Sequence, residues 1–136
     1  MRRPHGILAA IGFLVGTTSA ANAESVSLVA HLLGSTAHSA SDAFAEAQFT
    51  YDSGSRALEY YVNYDGVAPA KVDIHGPAVA GENAPALVTL HLSESPISGI
   101  VTLTQEQAAA LLAGKTYLDI HSNTYPDGEI RGQITK

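Results

Sequence analysis

Apolar side chains recur at every second position in run after run of this chain, and few folds tolerate that pattern outside an antiparallel sheet with one buried face. Val26, Leu28, Ala30 and Leu32 share one face of a first strand, and Ala43, Ala45, Ala47, Phe49 and Tyr51 share one face of a second. After the turn Asp52-Ser53-Gly54, Leu58, Tyr60, Val62 and Tyr64 define the buried side of a third strand, so the second and third read as a hairpin. Lys71 to His75 is a short fourth strand that stops at Gly76-Pro77, because proline has no amide proton for the next ladder position. Val88, Leu90 and Leu92 mark a fifth strand after the loop 81–85, and Ile97 to Leu103 a sixth.

One helical segment interrupts the alternation. Thr104 with Gln107 forms a capping box, Ala108 to Ala113 are helix formers, and Gly114 suits a left-handed C-terminal cap. Thr116 to His121 is a seventh strand, Pro126-Asp127-Gly128 a tight turn, and Glu129 to Ile134 an eighth beside the seventh. The expected fold is all-β: an antiparallel Greek-key β-sandwich or barrel of about eight strands with one short helix. The small, polar stretch from Gly34 to Ser41 reads as the mobile loop.

The N-terminus differs in kind. Arg2 and Arg3 precede an apolar stretch from Ile7 to Val15, and Ala21-Asn22-Ala23 follows, which is the layout of a cleavable signal peptide over residues 1–23. The apolar stretch is shorter than the roughly 20 residues a permanent transmembrane helix needs, and no later segment supplies a membrane span. The working domain is then 24–136, exported to a periplasm or secreted. Loss of Arg2 and Arg3 from 7 basic and 13 acidic residues moves the formal charge from −6 to −8. So acidic a surface repels nucleic acid and anionic lipid.

The chain has no cysteine. An exported domain without disulfides depends on packing and backbone pairing, and any metal site in it must be built from imidazole, carboxylate and water. No serine lies in a strand-to-helix elbow, and no glycine-rich phosphate loop or dinucleotide fingerprint is present. The expectation is therefore that the protein is not an enzyme.

A repeated tripeptide carries the chemistry that is left. Asp73-Ile74-His75 ends the fourth strand and Asp119-Ile120-His121 the seventh. Period-2 alternation puts each Asp and His on one strand face and each Ile on the core face, so the polar pair faces solvent or a groove. If the two strands run in the same direction side by side, their ends bring two imidazoles and two carboxylates together. Asp73, His75, Asp119 and His121 then form a metal site, for which imidazole favours zinc or copper. Otherwise they are two solvated Asp–His pairs. His31, His91 and His38 read as surface histidines, any of which could add a nitrogen ligand. Arg131, on the same face as Glu129 and Gln133, reads as the cation of a structural ion pair.

Leu33-Gly34, Ile74-His75-Gly76-Pro77-Ala78, Leu103-Thr104, the run from Gly114 to His121 and Gly128-Glu129-Ile130-Arg131-Gly132-Gln133-Ile134 together make the chain resemble the CHRD domain, a family first described in chordin and widespread in bacterial exported proteins. The family commonly has His where this chain has Asp73, and Asn where it has Asp119. The resemblance implies a β-sandwich module that acts outside the cytoplasm as a structural or protein-binding unit, its partner an extracytoplasmic protein or matrix component. The alternative is a divalent-metal-binding or redox-active protein centred on the paired Asp-Ile-His motifs.

Overall fold

The computed structural model describes residues 24–136 and the isolated Gly12, so the expected signal segment lies outside the described residues apart from that one position. Eight strands form one antiparallel sheet curled into a half-barrel: β1 (Ser25–Leu33), β2 (Phe44–Asp52), β3 (Ala57–Asp65), β4 (Lys71–His75), β5 (Ala86–Thr89), β6 (Ile97–Thr102), β7 (Tyr117–His121) and β8 (Ile130–Gln133). Their spatial order is β5-β4-β7-β8-β1-β2-β3-β6. The all-β architecture with one short helix is the one that the alternation predicts.

The inside of the curl is the core. Leu28 and Leu32 from β1, Phe49 from β2, Leu58 and Val62 from β3, Val72 from β4, Leu118 and Ile120 from β7 and Ile130 from β8 are all essentially inaccessible. The helix α1 (Gln105–Leu112) adds Ala108 and Leu111 to that core. Its ends are closed as the sequence indicates. The Thr104 hydroxyl accepts from the Gln107 amide at 3.2 Å, and the Gln107 side chain accepts from the Thr104 amide at 2.9 Å. Gly114, at φ +72°, lets its own amide and that of Lys115 return to the carbonyls of Leu111 and Ala110, a Schellman closure.

Two expectations change. The fifth strand stops at Thr89, one residue before Leu90 makes its last bond to β4, from its amide to the Val72 carbonyl at 2.9 Å. The chain then crosses toward β3, where the His91 amide meets the Tyr60 hydroxyl at 3.3 Å, and this departure leaves Leu92 exposed rather than on a strand face. The stretch from Gly34 to Ser41 is tied down rather than mobile. It contains a 3₁₀ turn (Ser35–Ala37), with the Thr36 hydroxyl on the Arg131 carbonyl, the Ser39 hydroxyl on the Glu129 carbonyl at 2.5 Å and the Ser41 hydroxyl on the Glu129 carboxylate at 2.9 Å.

The half-barrel depends on a seam between β8 and β1, where Leu33 pairs with Arg131 and an isolated bridge joins Val29 to Thr135. Gly132 lies against the His31 carbonyl so closely that a Cβ would overlap it. Backbone on the opposing strand cannot yield as a flexible side chain can. Gly132→Ala is therefore expected to cost about 2–3 kcal/mol of unfolding free energy, read by urea denaturation.

Candidate metal centre

β4 and β7 are antiparallel neighbours, not parallel ones, and their register sets Asp73 directly opposite Asp119, His75 opposite Tyr117 and Lys71 opposite His121. The histidines therefore end their strands at opposite sides of the carboxylate pair. They still converge, because each ring leans back over the two aspartates, and their centroids lie 5.7 Å apart. The convergence expected from parallel strand ends is reached by a different route.

The polar face is also not open to solvent. Asp73 is 1% exposed and Asp119 5%, and both imidazoles are largely covered. Strand β5 supplies the Thr89 hydroxyl, which donates to Asp73 Oδ1 at 2.7 Å. Loop residue Ala84 and turn residue Pro126 supply carbonyls on either side. His75 Nδ1 donates to the Ala84 carbonyl at 2.8 Å and His121 Nδ1 to the Pro126 carbonyl at 2.9 Å. A carbonyl only accepts, so both protons are fixed on Nδ1, and in the neutral ring this leaves an Nε2 lone pair facing inward.

Those two Nε2 atoms point at the same oxygen. Asp73 Oδ2 lies 3.8 Å from His75 Nε2 and 3.4 Å from His121 Nε2, and Asp119 Oδ2 lies 3.9 Å from His121 Nε2. Neither Nε2, nor Asp119 Oδ1, has a hydrogen-bond partner among the described residues. The separations exceed the roughly 2.7–2.9 Å of a charge-assisted bond. The shortest, 3.4 Å, matches the spacing of about 3.3–3.4 Å between ligands around a tetrahedral ion with bonds of 2.0–2.1 Å, and the 3.8 and 3.9 Å separations are somewhat wider than it. Ligand atoms of Asp73, His75 and His121 all lie within 4.8 Å of one another, and Asp119 stands beside them as a further oxygen donor. Two imidazole lone pairs and buried carboxylates are donors of the kind that zinc and copper(II) take, and the Nδ1–carbonyl bonds are the outer support that metal-ligating histidines use.

Three neighbours shape the site in ways that the sequence does not show. Gly128, at φ +127°, leaves room for the Asp119 carboxylate, since a Cβ there would come 2.5 Å from Oδ1. Tyr117 stacks on His75, with rings 2° from parallel and centroids 4.9 Å apart, and its hydroxyl bonds both the amide and the carbonyl of Ala84. Lys71 places its ammonium 3.2 Å from Asp73 Oδ2. A positive φ before a strand and a lysine two residues from an aspartate are faint signals in a sequence.

Arg131 does not make the ion pair expected of it. No carboxylate lies within salt-bridge distance of its guanidinium among the described residues. The group sits 3.4 Å above the Tyr117 ring centroid, donates to Asn83 Oδ1 at 2.8 Å and also bonds the Glu82 carbonyl. It therefore clamps the loop that carries Ala84 over the site. Glu129 turns instead to Ser122, 2.7 Å from its Oε1, and to Ser41. His31, His38 and His91 are exposed and do not join the cluster; His31 lies 3.7 Å from Glu46 on the outer sheet face. A cleft of about 430 Å³ opens onto the site between His75, Tyr117, His121 and Asp127.

Burial pushes the Asp119 carboxyl above its ordinary 3.8, and Asp73 adds to that rise, while His121, His75 and Arg131 oppose it. A raised acid pKa means that the folded state holds the proton more tightly than the unfolded chain. The stability linked to that proton is complete below pH 3.8 and is lost as pH rises through the raised value. In chelator-treated protein, Asp119→Asn should therefore raise the melting temperature at neutral pH, with the difference shrinking as pH falls toward 3.8, as read by calorimetry across a pH series.

A family model, the CHRD domain, matches residues 28–134, a span that runs from β1 past β8 and contains every residue of the site. No curated protein and no solved structure matches the chain. The matched span covers most of the sequence, strands β2 to β8 whole and β1 from Leu28 onward, and the chain belongs to the CHRD domain family, whose members are generally extracellular modules.

Proposed function

We propose that this protein is an exported CHRD module that binds one divalent transition ion, zinc or copper(II), through His75 Nε2, His121 Nε2, Asp73 Oδ2 and Asp119, and uses it to fix the loops it presents to an extracytoplasmic partner. The observation that carries the reading is the pair of partnerless Nε2 atoms, each oriented by an Nδ1–carbonyl bond and aimed at a buried carboxylate oxygen. A bound dication supplies the positive charge that two facing, buried carboxylates require. The chain's own contribution is to hold the rings. His75 carries the loop through Ala84, and His121 carries the turn through Pro126.

The role assigned to the ion is structural, within a binding module rather than an enzyme. The sequence offers no nucleophile or phosphate loop beside the site, and the residues around it are occupied in holding the loop and the turn. Residues 1–23 read as a signal peptide, which agrees with a family of extracellular modules and leads to a periplasmic or secreted location. The partner is a protein or matrix component that meets the loop 82–84 and the turn 126–128.

Titration calorimetry of the chelator-treated protein with Zn(II) and Cu(II) tests the reading. One equivalent is expected to bind, and at a free concentration 100 times the dissociation constant it should stabilise the fold by about 2.7 kcal/mol. The double variant His75→Ala, His121→Ala should lose at least about a hundredfold in affinity. Equal, weak binding by wild type and double variant would sink the metal site.

A further inference from the structure

Resting on that metal reading, we infer that Lys71 is a tethered competitor for the metal: its ammonium occupies the electrostatic position at Asp73 Oδ2 that the ion must take over, so that Lys71 sets how tightly the site binds. Asp73 Oδ1 is committed to the Thr89 hydroxyl at 2.7 Å. Its Oδ2 is approached at 3.2 Å by Lys71 Nζ and at 3.4 and 3.8 Å by the two imidazole Nε2 atoms. The oxygen that completes the ion's donor set is thus the oxygen that the lysine neutralises.

Lysine and aspartate are two residues apart on β4, so they share a face, and the register places Lys71 opposite His121. The contact is therefore built into the strand. It is also reversible, because the Lys71 side chain is 54% exposed while that of Asp73 is 1% exposed. A long, half-exposed stem can swing its charge into water at little cost, whereas the carboxylate cannot move. A dication held about 2 Å from Oδ2 and an ammonium at the same oxygen repel each other, and the mobile one leaves. Binding then includes the loss of the Lys71–Asp73 contact, which lowers affinity relative to a site without the lysine.

The consequence has two opposite signs. Removing the lysine charge leaves buried Asp73 less compensated, so metal-free protein becomes less stable, yet the same change strengthens metal binding. A lysine that merely supported the fold would weaken both.

The test compares wild type with Lys71→Met and Lys71→Gln, with Lys136→Met as the control for a lost surface charge, each measured by zinc titration and by thermal melting after chelation. Both Lys71 variants are expected to bind zinc about two- to fivefold more tightly, which is the range a partly exposed ion pair supports, and to melt at lower temperature than wild type without metal. The Lys136 variant should do neither. Affinity that is unchanged or weaker in both Lys71 variants, with wild type still binding one zinc, overturns the competitor role and leaves the site intact. Absence of zinc binding in wild type and in both Lys71 variants overturns the metal reading itself and this inference with it.

Discussion

Two carboxylates facing each other across adjacent strands, both out of water, are the constraint around which this end of the sheet is organised. Like charges directly opposite in a sheet are destabilising, and burial removes the solvent that would screen them. Everything packed against Asp73 and Asp119 answers that pressure. Thr89 donates to one carboxylate, Lys71 brings a charge to the same residue, and two imidazoles crowd the space between. Arg131 acts on Asp119 from above Tyr117. Even with this much positive potential gathered around two acids, two Nε2 atoms are left partnerless, which is the observation the proposed metal reading rests on.

The run from Gly128 to Ile134, which is the most specific part of the family resemblance, has a different place in this economy. Ile130 and Ile134 are core residues. Gly132 permits the close approach of β8 to β1, Glu129 anchors the 34–41 loop through Ser41 and the turn through Ser122, and Gln133 bridges the carbonyls of Ala78 and Gly114. The motif is therefore mostly a structural junction. It reaches the site at two points only, where Gly128 leaves space for Asp119 and where Arg131 holds the loop above His75.

Much of this was legible in the alternation of the chain, and the parts that were not share a physical reason. Period two tells which face a side chain takes, so the inward Leu28, Val62 and Ile120 and the shared face of Asp73 and His75 could be read directly. It does not tell which strand lies next to which, or in which direction. Hence β4 and β7 were expected to meet only if parallel, while their antiparallel pairing brings the same four residues together through ring lean. Burial of the polar face depends on β5, the loop 82–84 and the turn 126–128 arriving from elsewhere in the chain, which no local pattern encodes. The same applies to the 34–41 loop: its serines and threonine look solvent-seeking until β8 offers them carbonyls and a carboxylate. The parts that Lys71 and Gly128 play at the site exist only as distances to an aspartate, which no local pattern encodes.

The absence of cysteine gives this geometry a thermodynamic meaning. Small exported domains commonly restrict the unfolded chain with disulfides, and a cross-link contributes more when it closes a longer loop. An ion shared by Asp73 and His75 of β4 with Asp119 and His121 of β7 would close a loop containing β5, β6 and α1. Its ligands are ordered only when both strands are paired, so binding free energy becomes folding free energy, as it does in other small metal-dependent domains. The two carboxylates, which weaken the metal-free fold, are then what makes the metal-bound one strong. On the proposed reading, a site that destabilises its own scaffold until an ion arrives would also couple that ion to the order of the loop at Ala84 and the turn at Pro126, whose carbonyls hold the two rings.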